Sequence, residues 1–293
     1  SNGVEAPLLI LRRAFDQDEL KSLLQDVQPG LISLHFTQSF PDRDPPALLQ
    51  RLHRLLGEQA GQRPGSIDYD PILDWADPPY DELVAAYRFA GEHLPGFRVL
   101  QINGLRFHSG PDNATQELAL TLAKGSEYLA QLQARDIEPA AANRHLQFTV
   151  ALSTSYFVEI AKLRALRILW ANVLDAYGAG VETAPIVAHL AEESQAGDQY
   201  SNMIKAGTQA MAAVIGGADR LYVRPADYTP YQPGRPFTRR VARNVQHLLR
   251  LESYLAYVAD PGAGSYYIEQ LTEQLAEQAW KSFHQIDRNR DFA

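Results

Sequence analysis

The chain has 293 residues, 45% of them hydrophobic, which is ample for a large buried core or for one barrel of about 250 residues. Its net charge of -8 argues against a nucleic-acid partner, and its lack of cysteine excludes disulfides, thiolate metal sites and cysteine nucleophiles. No apolar run approaches the roughly 18 residues of a membrane span and no charged-then-apolar leader points to secretion, so a cytoplasmic protein without a membrane partner is expected.

Ser1-Asn2-Gly3 reads as the scar of a cleaved tag, residues 1–5 as a loose start, and the rest as one domain from 6 to 293. Short β-rich runs then alternate with amphipathic helical stretches. Leu8–Leu11 is the first strand; Asp16 caps a helix with Glu19 in capping-box spacing. Leu31–Phe36 is the second strand, followed by a helix at Pro46–Leu56. Gly65–Tyr69 is a weaker third strand, and a helix over Tyr80–His93 leads to a fourth at Phe97–Ile102. The second half repeats the rhythm: helix Thr115–Ala134, strand Leu146–Val150, helix Ser155–Ala176 with Gly178 beyond its end, strand Pro185–Ala188. Helix Tyr200–Ile215 stops at Gly216-Gly217, and strand Arg220–Val223, helix Phe237–Glu252, strand Leu255–Val258 and helix Tyr266–Ile286 complete the pattern.

Eight strand–helix pairs imply a parallel sheet, and the count of eight implies a closed (β/α)8 TIM barrel. An open doubly wound sheet is the alternative. The Pro- and Tyr-rich stretch Pro225–Pro236 reads as an enlarged loop after strand seven. The basic cluster Arg235, Arg239, Arg240 and Arg243 reads as a helix start. No phosphate-loop, nucleophile-elbow or HExxH motif occurs, and no two histidines stand at metal-ligand spacing, so no metal is expected.

Three stretches carry a resemblance. Ile102-Asn103-Gly104 with Glu117–Ala123 is similar to I-S-G-Y-H followed by E-L-A-x-T-L-A; Phe157–Ala171 is similar to F-x-E-I-A-K-x-R-A-x-R-x-x-W-A; Ala242–Gln246 with Asp260–Glu269 is similar to A-R-N-x-Q and D-P-x-x-G-S-Y-x-x-E. Together they resemble the barrel domain of methylmalonyl-CoA mutase chains over roughly residues 6 to 287. The resemblance implies a radical carbon-skeleton isomerase, with an acyl-CoA threading the barrel axis and adenosylcobalamin supplied by another domain. It also implies that some members pair one catalytic chain with a similar inactive one.

Several positions depart from that pattern. No histidine has an Asp two residues before it, so the family's cobalt-binding D-x-H-x-x-G is missing, as is its N-terminal Y-P-T-M-Y segment. The family's active-site His falls on Arg106 and the preceding Tyr on Leu105. Arg cannot give up a proton, and His108, two residues on, is expected to point elsewhere. The Q-N-D of strand three appears as Asp68-Tyr69-Asp70, and the downstream Arg that grips the substrate carboxylate has no counterpart between Pro71 and Glu82. His35, Gln101, Asn103 and Gln147 stand where catalytic chains have serines along the axis, and each is larger. On strands they share one face and are expected to plug the axis, unless they face the helices instead. Arg164 and Asp260 are candidate ligand contacts at the barrel mouth; an ion pair for Arg164 and a turn cap for Asp260 are equally open.

The expectation is a non-catalytic small (beta) subunit, inactive alone and heterodimeric with a cobalamin-bearing catalytic subunit, binding no cofactor itself. The bulky axis argues against acyl-CoA binding. The alternative is an acyl-CoA-binding barrel of an active mutase whose cobalamin domain lies on another chain. An unrelated barrel lyase or aldolase is a third reading, weakened by the lack of a Schiff-base Lys at a strand end.

Overall fold

The computed structural model describes residues 3–28, 31–41, 43–57, 64–229 and 232–289. Ser1, Asn2, Pro230, Tyr231 and residues 290–293, which belong to the readings of the tag scar, the enlarged loop and the chain end, lie outside the described residues.

In chain order the elements are β1 (Leu8–Leu11), α1 (Gln17–Leu24), β2 (Leu34–Gln38), α2 (Pro45–Leu56), β3 (Gly65–Asp68), the short α3 (Pro71–Asp74), α4 (Tyr80–His93), β4 (Phe97–Arg98) and β5 (Leu100–Asn103). There follow α5 (Ala114–Gln133), the short α6 (Pro139–Arg144), β6 (Leu146–Leu152), α7 (Tyr156–Ala176), β7 (Ile186–Leu190), α8 (Gln199–Ile215), β8 (Arg220–Tyr222), α9 (Pro236–Leu251) and α10 (Tyr266–Asn289).

The strands form two sheets, ordered β1-β2-β3-β4 and β5-β6-β7-β8. β1 to β4 pair in parallel, and so do β6, β7 and β8. Alternation of strand and helix along the chain gave the same reading, because a parallel neighbour needs a crossover long enough for a helix.

Local chemistry explains most boundaries. Asp16 and Glu19 form a capping box on α1: Asp16 Oδ1 accepts from the Glu19 N–H at 2.9 Å and Glu19 Oε2 from the Asp16 N–H at 3.0 Å. Asp44 and Asp198 cap α2 and α8 through their side chains. Gly217, at φ 82, takes the left-handed position that ends α8, and the Ala218 N–H reaches back to Ala213 O at 2.9 Å.

Three expectations need correction. The fourth predicted strand is two, β4 and β5, because Val99 breaks the ladder and donates to His145 O at 2.8 Å. The second begins at Leu34, and Leu31 is exposed. The eighth predicted strand, Leu255–Val258, is a 3-10 turn at Leu255–Tyr257. Tyr254 sits in the left-handed region at φ 53, and the Ser253 and Tyr257 N–H groups bond to Leu248 O and Tyr254 O, so these donors are used locally instead of in a ladder. An apolar run cannot by itself distinguish a buried strand from an exposed turn.

The chain divides into two compact units. The first comprises Ser1–Ile102, Glu127–Gln147 and Tyr177–Ala179; the second comprises Asn103–Ser126, Phe148–Ala176 and Gly180–Ala293. In the first, Gly65 lies so close to its neighbours that an added Cβ would run into the Phe97 ring and the Leu34 carbonyl oxygen. In the second, Trp170 of α7 meets Phe148 of β6 edge-on at 4.9 Å, a geometry favoured by the ring quadrupoles. On β7 and β8, Leu190 and Leu221 pack toward α8 and α9 with Ala206, Ala210, Val223, Ala242 and Leu249. No described helix is long and apolar enough to cross a membrane.

Candidate functional site

The second unit collects its charged chemistry after the carboxyl ends of its strands. Beyond β5, residues Gly104–Phe107 make a 3-10 turn that carries Arg106 and leads to His108. Beyond β6 come Ser153 and the first turns of α7, with Glu159 and Lys162 at i,i+3 spacing. Beyond β7 a 3-10 turn at Glu192–Ser194 supplies Glu193, and Arg224 follows β8. Barrel-type enzymes place their chemistry at this end of the strands.

Ser153, Glu159, Lys162, Glu117, His108 and Glu193 form one connected network. Lys162 Nζ, 1% exposed, lies 2.9 Å from Glu117 Oε2 and 2.8 Å from Glu159 Oε2, and donates to Ala151 O at 2.7 Å. Ser153 Oγ donates to Glu159 Oε1 at 2.6 Å. His108 Nδ1 lies 2.8 Å from Glu117 Oε2 and Nε2 lies 2.6 Å from Glu193 Oε1. Arg224 completes the rim, pairing with Glu192 at 2.7 Å and stacking over Tyr228.

The electrostatics follow from burial and pairing. Burial alone would raise the Glu117 carboxyl, but the Lys162 charge and the His108 hydrogen bond hold it below the usual carboxylate range. Burial works against the Lys162 ammonium, and Glu117 and Glu159 outweigh it, so its pKa is raised. For His108, burial lowers the pKa, and the Glu117 and Glu193 contacts outweigh it, leaving it above its ordinary value. Glu117 Oε1 remains buried without a hydrogen-bond partner.

The arrangement can hold charge and position two turns. Among the described residues there is no group of three His, Cys, Asp or Glu side chains that could hold a metal ion.

The residues singled out from the sequence fall as follows. His35 is buried, with Nδ1 at 2.8 Å from Ser66 Oγ on the neighbouring strand and Nε2 at 2.9 Å from Ser33 Oγ. Gln101 is buried, and buried Gln147 donates to Asp68 Oδ1 at 3.3 Å. Asn103 is half-buried and accepts from the Leu105 N–H at 3.0 Å, capping the turn that carries Arg106. Arg106 is exposed. Arg164 and Asp260 are brought together as an ion pair; Arg164 also holds Glu269 at 2.8 Å, and Asp260 Oδ1 accepts from the Gly262 N–H at 3.0 Å. The hydrogen bond from Arg164 holds the Asp260 carboxyl low.

Glu117, Glu159 and Glu193 were not singled out from the sequence. One of them left a signal. Glu159 and Lys162 interrupt a helix that is otherwise apolar over most of its surface, and an i,i+3 pair of opposite charges there is cheapest when mutually satisfied. Glu193 left none, since its partner is 85 residues away.

The methylmalonyl-CoA mutase family profile matches residues 73–290 of the chain. A methylmalonyl-CoA mutase small subunit from Porphyromonas gingivalis is 32% identical over 299 residues, covering 98% of this chain and 48% of that protein. A methylmalonyl-CoA mutase small subunit from Streptomyces virginiae is 39% identical over 204 residues, covering 69% and 33% respectively. A methylmalonyl-CoA mutase from Cereibacter sphaeroides is 34% identical over 203 residues, covering 68% and 28%. The chain thus spans about half the length, or less, of these curated relatives. With the profile covering most of the chain and the motifs of β5, α7 and the start of α10 in matching order, the chain belongs to the methylmalonyl-CoA mutase family.

Proposed function

We propose that this chain is the barrel part of a non-catalytic small subunit, supporting a separate catalytic chain that carries adenosylcobalamin in a cytoplasmic heterodimer. The observation that carries the reading is Arg106. It stands where the family motif has its active-site His, on an exposed turn, and a guanidinium keeps its proton at any physiological pH. His108 does not replace it, because both of its nitrogens are engaged by carboxylates. The names of two relatives, each a small subunit, support the same role.

The closed (β/α)8 barrel is part of this reading. The parallel registers of β1 to β4 and of β6 to β8 support it. His35, Gln101, Asn103 and Gln147 would fill its axis, and the burial of three of them supports a packed interior that leaves no room for an acyl-CoA arm.

Purified chain with added adenosylcobalamin and methylmalonyl-CoA is the direct test. No turnover is expected alone, and co-purification from the native host is expected to bring down a cobalamin-bearing chain of related sequence. Turnover by the isolated chain would overturn the proposal and restore the other reading, an acyl-CoA-binding barrel of a working mutase, which the similarity to the Cereibacter sphaeroides enzyme favours.

A further inference from the structure

We propose that His108 is a proton-gated bridge, tying the turn that carries Arg106 to the turn after β7 only while its ring is an imidazolium. The argument begins with hydrogen counting. A carboxylate accepts and never donates, and a neutral imidazole has one N–H. His108 places Nδ1 2.8 Å from Glu117 and Nε2 2.6 Å from Glu193, so both contacts are attractive only when both nitrogens carry protons. The side chain is 3% exposed, and water therefore cannot take over either contact without local opening.

The charged groups around the ring set which contact yields. From α5 comes Glu117, with Lys124 lying over the neighbouring Phe107 ring; from α7 come Lys162 and, behind it, Glu159; from the turn after β7 come Glu193 and the Glu192–Arg224 pair; Arg106 lies on the ring's own turn. Glu117 is 1% exposed and held by Lys162, so it keeps the single remaining N–H. Glu193 is 47% exposed and can be hydrated. Loss of the proton therefore breaks the Glu193 side. Because the folded pKa of His108 is raised, the bridge is complete below the ordinary histidine value and is lost as pH rises through the folded one. The turn bearing Arg106 then loses its tie to residues 192–194.

The test is nitrogen-resolved NMR of the His108 ring in the full chain from about pH 5.5 to about pH 9.5, the range in which a histidine switches. It is run on the wild type and on Glu193→Gln, with amide exchange corrected for its intrinsic pH dependence. The expected result is a doubly protonated ring at the acid end and a midpoint above that of an ordinary histidine. Glu193→Gln should lower the midpoint, and protection at residues 104–110 and 191–195 should fall about tenfold for each unit by which the midpoint was raised. His108→Gln should show low, pH-independent protection in both segments. A singly protonated ring at the acid end, a midpoint unmoved by Glu193→Gln, or protection that stays flat through the titration would each overturn the proposal.

Discussion

Replacing Lys162 by Met removes the one ammonium between two buried carboxylates and keeps most of its volume. Glu117 and Glu159 are 1% and 0% exposed and each lies within 2.9 Å of Nζ, so their oxygens stand no more than about 6 Å apart. Two bare charges at that separation repel by roughly 3 kcal/mol at an effective dielectric of about 20. Removing one partner of a buried ion pair generally costs about 3–5 kcal/mol, because the charge left behind is desolvated and unpaired. The expected loss for K162M is therefore about 3–5 kcal/mol, measured by urea unfolding followed by circular dichroism. The pH dependence separates this cause from a simple packing defect. In the wild type the Glu117 carboxyl is held low, so its contribution is present above the unfolded pKa and is lost as pH falls through the folded one. In K162M the carboxyl instead rises, and acidification should recover stability by protonating it. A loss below about 1 kcal/mol, or a variant that weakens with acid as the wild type does, would refute this account of the network. The double variant K162M with Glu117→Gln should lose less than the two single losses added together.

Three further outcomes are expected. Calorimetry with methylmalonyl-CoA at millimolar ligand should show no saturable heat, and a saturable isotherm would sink the filled-axis proposal. Gly104→Ala should lower stability by about 1–3 kcal/mol, read as a fall in Tm, because the new Cβ would stand 2.9 Å from both Thr121 Oγ1 and the Thr149 carbonyl oxygen. Arg164→Met should cost less than about 1 kcal/mol in denaturant titration, since its partners Asp260 and Glu269 are 42% and 47% exposed and solvent screens the pairs.

Helices were the most legible part of the chain. α4 runs from Tyr80 to His93 as its periodicity implied, and α8 and α9 agree within one residue, because amphipathic stripes and caps are local signals. The short helices α3 and α6 were missed; each is too brief to show a stripe, and each is started by a proline at its first turn. Strand ends were read less well, since pairing partners decide them. The site divides the same way. Motif residues such as Arg164 and Asp260 could be named, whereas the link from His108 to Glu193 joins turns that only the fold brings together.

The charge network also bears on how such a chain changes over evolutionary time. Each member of the Glu117–Lys162–Glu159 cluster is costly to lose alone, while exchanging the whole set for apolar residues of similar volume is often neutral or favourable. Single substitutions must cross that barrier one at a time, so the cluster behaves as a ratchet. A buried lysine between two glutamates is therefore held in place by the cost of removing any one of the three, whatever chemistry the chain performs.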